Sequence, residues 1–225
     1  MLTDVIGFIP FALDIGHGID NPKAYAGFSE FDYNQRLAEA IIPVAIRNGF
    51  MPVLAQGFNK TTVGLTSRYN VYDSCKVGFS LHVDAHSNLA VNGLSLYHWI
   101  TSKSGKKLAE TYAEVYGEYE TPIRLMKVDE ADADPSDGTY DNMGILRETA
   151  PPFILVEQGY KTNNSDRDYL STQESVNVFA EVLVKTLCKY FNKEYVEIQR
   201  YSTSLAELQK EMDAVREAVK ILTAL

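Results

Sequence analysis

Short apolar runs rich in β-branched and aromatic residues alternate with helix-length amphipathic stretches along most of this chain, and that alternation constrains the fold more than any other feature. The series reads as strand Val5 to Leu13, helix Glu30 to Asn48, strand Met51 to Ala55, helix Leu65 to Lys76 and strand Val77 to Val83. It continues with strand Leu94 to Ile100, helix Ser104 to Tyr119, strand Phe153 to Glu157 and a helix from about Gln173 to Phe191. Strands of this kind bury their side chains between two helical layers. The expected fold is therefore α/β, a mixed but mostly parallel sheet flanked by helices on both faces.

Between Lys127 and Asn142 the chain is acidic, with Asp129, Glu130, Asp132, Asp134 and Asp137 around Pro135, and reads as a loop before a Gly144 strand. It is either a rim to a cleft or a solvated excursion. The EF-hand spacing and its closing glutamate are missing, which argues against a calcium loop. After Asn192 the period changes: Ile198, Tyr201, Leu205, Leu208, Met212, Val215, Val219 and Leu222 recur at alternating spacings of three and four. That is a heptad pattern with Leu205 at a and Leu208 at d. The expected division is thus residues 1–192 as one catalytic unit and 193–225 as a linker and coiled-coil-like helical tail. The narrow stripe favours a homo-oligomer over a helix packed on the domain. Glu211 at g and Arg216 at e would pair between parallel helices, adding only about 0.2–1 kcal/mol. The alternation of leucine and valine at d leaves the oligomer number open.

The chain has 225 residues and a formal charge of −9. That charge argues against a nucleic-acid partner or an anionic membrane surface, both of which call for a basic patch. Cys75 and Cys188 form no CxxC pair and read as reduced, partly buried thiols. The apolar run Val5 to Leu13 has no positively charged lead and no small-residue cleavage site, so it reads as a core strand and not as a signal peptide. No stretch approaches the roughly 20 apolar residues of a membrane span. Synthesis in the cytoplasm without a recognisable leader is the expectation.

Only four histidines are present, and two fall in contexts suited to chemistry. His17 lies in Asp14-Ile15-Gly16-His17-Gly18, directly after the first strand. Glu30 follows Ser29, the expected N-cap of the first helix. His82 ends Phe79-Ser80-Leu81-His82, at the edge where open α/β sheets collect their ligands. Glu157 closes the apolar run Ile154-Leu155-Val156. Taken singly, His17 reads as a turn residue and Glu30 as a first-turn acid favoured by the helix dipole. Taken together they suit zinc, whose catalytic sites use three nitrogen or oxygen ligands, a His₂Glu set among them. Glu157, outside that set, suits a general acid and base. His86 is the rival to His82. Arg147 is either a surface residue or a partner for a carboxylate or substrate carbonyl, and His98, beside Trp99, reads as sheet surface.

These segments resemble the zinc-dependent N-acetylmuramoyl-L-alanine amidases of bacterial cell-wall hydrolases and phage endolysins. The likeness is carried by DIGHG with Gly27 and Glu30, and by Leu65-Thr66-Ser67-Arg68 followed by Val77 to Ala85. It continues through Gly144-Ile145-Leu146-Arg147, Pro151 to Tyr160, and Asn163, Asn164, Asp166 and Leu170. It spans roughly residues 5 to 190 in the family's order. Ile15 stands where the family usually has proline, Ile19 where it has a second glycine, and Asp84 and His86 add polar groups near the third ligand. Neither departure at Ile15 or Ile19 removes a ligand.

The resemblance implies that His17, Glu30 and His82 hold Zn²⁺, that Glu157 is catalytic, and that the substrate is peptidoglycan, cut between the lactyl group of N-acetylmuramic acid and L-alanine. Lacking a recognisable leader, the chain fits a phage or prophage endolysin acting on the cell wall. The alternatives are a zinc peptidase cutting inside the stem peptide and a non-catalytic wall-binding or assembly module.

Overall fold

The computed structural model describes residues 7–132 and 143–197. Its strands are β1 (Ile9–Ile15), β2 (Phe50–Val53), β3 (Gly78–Asp84), β4 (Leu94–Trp99), β5 (Leu125–Ala131) and β6 (Phe153–Tyr160). Its helices are α1 (Glu30–Arg47), α2 (Leu65–Tyr72), α3 (Lys103–Tyr116), α4 (Gly144–Glu148), α5 (Asn164–Leu170) and α6 (Gln173–Tyr190).

All six strands join one sheet in the order β2-β1-β3-β6-β4-β5. β2, β1, β3 and β6 are parallel, β4 runs antiparallel to β6, and β5 is parallel to β4. The expected mixed, mostly parallel α/β sheet is therefore present. β1 is buried from Pro10 onward because successive side chains point into opposite helical layers. On one face Phe11, Leu13, Phe79, Leu81, Ile154 and Val156 pack with residues of α1, α3 and α6. On the other, Ala12, Val53 and Leu155 pack with Tyr72 at the end of α2 and with Ile145 and Leu146 of α4. Burying one such large side chain contributes about 1.5–3 kcal/mol.

Several expectations change, among them the second helix, which ends at Tyr72 and not at Lys76, and the third, which ends at Tyr116 and not at Tyr119. The Gly144 segment is a short helix, not a strand, because Ile145 and Leu146 need only one turn to reach the sheet. The acidic stretch begins inside a strand, since β5 extends to Ala131 along the edge against β4. The first strand is described from Ile9. His98 is buried and not on the surface: it shares a face with Leu94 and Leu96 that α3 covers, and its Nδ1 lies 3.1 Å from Trp99 O. The heptads from Ile198 onward and most of the acidic stretch, Asp134 to Gly138, lie outside the described residues.

Cys75 and Cys188 are free and are buried more completely than the partial burial expected, and burial pushes their thiols up to about 12 and about 11. No helix among the described residues is long and apolar enough to cross a membrane.

Candidate active site

The parallel strands all end at one edge of the sheet, and the singled-out residues gather there. Ile15 of β1 pairs with Leu81 of β3, and His82 pairs across the ladder with Glu157 of β6. The turn after β1 carries His17. That residue has φ of 70°, a left-handed conformation uncommon outside glycine, which is where functional side chains are often held. Ser29 caps α1 by accepting a hydrogen bond from the Asp32 amide, as its position suggested, and this fixes Glu30 on the first turn.

Glu30 Oε1 is the meeting point. It lies 3.0 Å from His17 Nε2 and 3.0 Å from His82 Nδ1, and it accepts from the Val83 amide at 3.1 Å. The two imidazoles stand edge to face with centroids 5.0 Å apart. Their donor atoms and the Glu30 carboxylate lie within 4.8 Å of one another, so the three residues form a candidate metal site. The donor set fits zinc, whose tetrahedral sites hold nitrogen and oxygen ligands about 2.0–2.2 Å from the ion and so about 3.4 Å from one another, against 3.0 Å for each imidazole–carboxylate pair here. Burial pushes the Glu30 carboxyl up, but hydrogen bonds from His17 and His82 and their charge outweigh it and hold the group well below the usual carboxylate range. Burial likewise lowers His82, yet its bond to Glu30 and the charges of Glu157, Glu30 and Asp14 raise it overall.

Gly16 makes this approach feasible. A Cβ there would lie 2.5 Å from His82 Cε1 and 2.6 Å from the Leu81 carbonyl oxygen, so only hydrogen leaves room for the ring. Gly18 does the same for the loop at Thr62, whose amide would sit 2.3 Å from an added Cβ. The turn between them is braced by the buried Arg68, which donates to Asp14 Oδ1, to the carbonyls of Ile15, His17 and Val63, and to Gln56 Oε1. Asp14 also accepts from Tyr72 and Ser80 hydroxyls.

Glu157 has a different environment. Its Oε2 is buried with no hydrogen-bond partner. Burial, reinforced by Asp84 and Glu30 and opposed by His82 and Lys161, pushes its carboxyl up to about 8. A cleft of about 390 Å³ opens over the cluster, lined by His17 and His82 with Val63, Leu65, Met143 and Ile145 forming an apolar wall. His86 is exposed and outside the His17–Glu30–His82 group, with its Nδ1 accepting from the Asn88 amide. Arg147, exposed on α4, donates from Nε to Glu148 Oε1 at 2.6 Å. Two participants escaped the sequence reading. In the sequence Arg68 reads only as part of a helix, and Lys161, whose Nζ donates to Glu30 Oε2 at 2.6 Å, carries no local signal because its partner is 131 positions away.

A parallel-sheet edge bearing a His₂Glu cluster beside a carboxyl with one buried, unpartnered oxygen is a candidate metal centre with a candidate proton carrier, the kind of site a hydrolase uses. The family described as N-acetylmuramoyl-L-alanine amidase matches residues 11–189, and the chain belongs to it, placing it among the amidases that degrade peptidoglycan. Among solved structures it is similar to the N-acetylmuramoyl-L-alanine amidase AmiC2 of Nostoc punctiforme, with 25% identity, TM-score 0.72, and coverage of 82% of this chain and 98% of that one. It shares its fold with the catalytic domain of CwlV from Bacillus (Paenibacillus) polymyxa var. colistinus, at 20% identity and TM-score 0.71, covering 83% of this chain and 100% of that one. The amidase from Clostridium difficile 630 has the same fold at 21% identity and TM-score 0.71, covering 83% and 98%. No curated protein matches the chain.

Proposed function

We propose that this chain is a zinc-dependent N-acetylmuramoyl-L-alanine amidase, with His17 Nε2, Glu30 Oε1 and His82 Nδ1 as metal ligands and Glu157 as the proton-transfer group. The observation that carries the reading is the convergence of His17 and His82 on one oxygen of Glu30, with the unpartnered Glu157 carboxyl on the neighbouring strand. Zinc bound there supplies Lewis acidity to the scissile carbonyl and acidifies water. Glu157 accepts a proton from the attacking water and returns it to the nitrogen of the departing L-alanine. The apolar wall of the cleft limits competing water, and Arg147, on the helix that contributes Ile145 to that wall, is assigned to substrate contact.

Residues 1–192 form the catalytic unit in this proposal, and the heptads of 193–225 provide self-association. An endolysin role belongs to the same reading. It is tested by making the protein in the cytoplasm with and without a membrane-permeabilising holin, with lysis expected only when the holin is present.

Purified protein incubated with peptidoglycan is expected to hold about one zinc per chain and to release amino-terminal L-alanine, and a chelator is expected to stop the release. Fragments with other new termini would transfer the chemistry into the stem peptide, and wall binding without new termini would indicate a non-catalytic module. His82→Ala is expected to lose the metal and His86→Ala to keep it. The reverse pattern would replace His82 by His86 as ligand.

A further inference from the structure

Glu30 has a second oxygen, and a buried lysine occupies it. Lys161 follows β6 directly and is only 8% exposed. Its Nζ donates to Glu30 Oε2 at 2.6 Å and to the Val83 carbonyl at 2.7 Å. Its backbone is held at both ends: its amide donates to Asp84 O at 2.9 Å, and its carbonyl accepts from Arg167 Nη1 at 3.0 Å. A lysine ammonium is seldom buried unless paired, so a side chain fixed at both backbone and tip has a specific task.

Its two acceptors indicate what that task is. Val83 is the residue after His82, and its amide binds Glu30 Oε1 while its carbonyl binds Lys161. The lysine thereby ties together the carboxylate and the strand that carries the second histidine. An unrestrained carboxylate could offer both oxygens to one metal ion or rotate about its terminal torsion. With Oε2 held by the ammonium, Oε1 alone faces His17 and His82.

We propose that Lys161 is a positioning residue that keeps Glu30 a one-oxygen ligand and pre-organises the His17–Glu30–His82 cluster for its metal. This rests on the metal-site reading above. Hydrogen-bonded partners of ligating carboxylates have this orienting role in metal sites, and removing them typically costs about 10–100-fold in affinity or activity.

The test is zinc affinity, measured by competition with a chromophoric chelator on the full chain, alongside near-UV circular dichroism of the metal-free protein. Lys161→Met is expected to keep the native spectrum and to bind zinc at least about tenfold more weakly, and Lys161→Arg to recover most of the affinity. K161M binding zinc as tightly as the parent overturns the role of Lys161 alone. If K161M lacks the native spectrum, Lys161→Gln carries the same test: a tenfold loss supports the proposal and parental affinity overturns it. A parent chain that takes up no zinc overturns the metal-site reading and this proposal with it.

Discussion

Replacing Glu157 by glutamine should cut the release of L-alanine termini by about 10³-fold while leaving the metal in place, since positioned general acid–base groups contribute about 10²–10⁴-fold. The reason lies in how the two carboxylates of the site differ. Glu30 Oε1 is surrounded by His17, His82 and the Val83 amide, all stabilising its anion. Glu157 Oε2 is buried with no partner, and burial pushes its carboxyl up to about 8, where a proton can be both held and released near neutral pH. Two carboxyl groups whose surroundings push them in opposite directions mark a division between ligand and proton carrier. Glutamine keeps the size of the side chain and removes the proton chemistry. Metal content and new amino termini measured on the same sample decide the matter: near-parental activity would remove Glu157 from the mechanism, and loss of metal would make it a ligand.

The strands that were legible in the sequence are those whose side chains are buried by local periodicity. β1 and β6 open with apolar runs, Ile9 to Leu13 and Phe153 to Val156, and β3 alternates Phe79, Leu81 and Val83 with polar residues, so their buried faces can be read from the sequence. β5 was not legible because Leu125–Ala131 is an edge strand with mostly half-exposed or exposed residues, several of them charged, and its identity comes from pairing with β4 and not from its own pattern. α4 is not legible because its five residues of mixed apolarity suit one helical turn as well as one short strand. His17, Glu30 and His82 were visible because each closes a recognisable local motif. Lys161 and Arg68 were not, because a buried cation is defined by a distant partner, 131 positions away for Lys161 and 54 for Arg68.

Arg68 carries the second large expectation. The residue is 2% exposed, and its guanidinium bonds Asp14 at 2.8 Å, the Ile15 carbonyl at 2.8 Å, Gln56 at 2.8 Å, the Val63 carbonyl at 2.9 Å and the His17 carbonyl at 3.2 Å. Breaking one side of such a buried pair leaves an uncompensated charge, at a cost of about 3–5 kcal/mol. Arg68→Met should therefore lower the urea midpoint of the metal-free protein by an amount that is large beside the roughly 5–15 kcal/mol holding a typical domain together. Adding Asp14→Asn should return part of that stability, because the stranded carboxylate is gone and an amide can still meet Tyr72 and Ser80. Zinc affinity should stay low in the double variant, since the His17 carbonyl has lost its brace in either background. An R68M protein as stable as the parent would mean that the Asp14 carboxylate finds compensation from Tyr72 and Ser80 alone. A double variant with parental zinc affinity would mean that the left-handed turn at His17 holds its imidazole without the arginine.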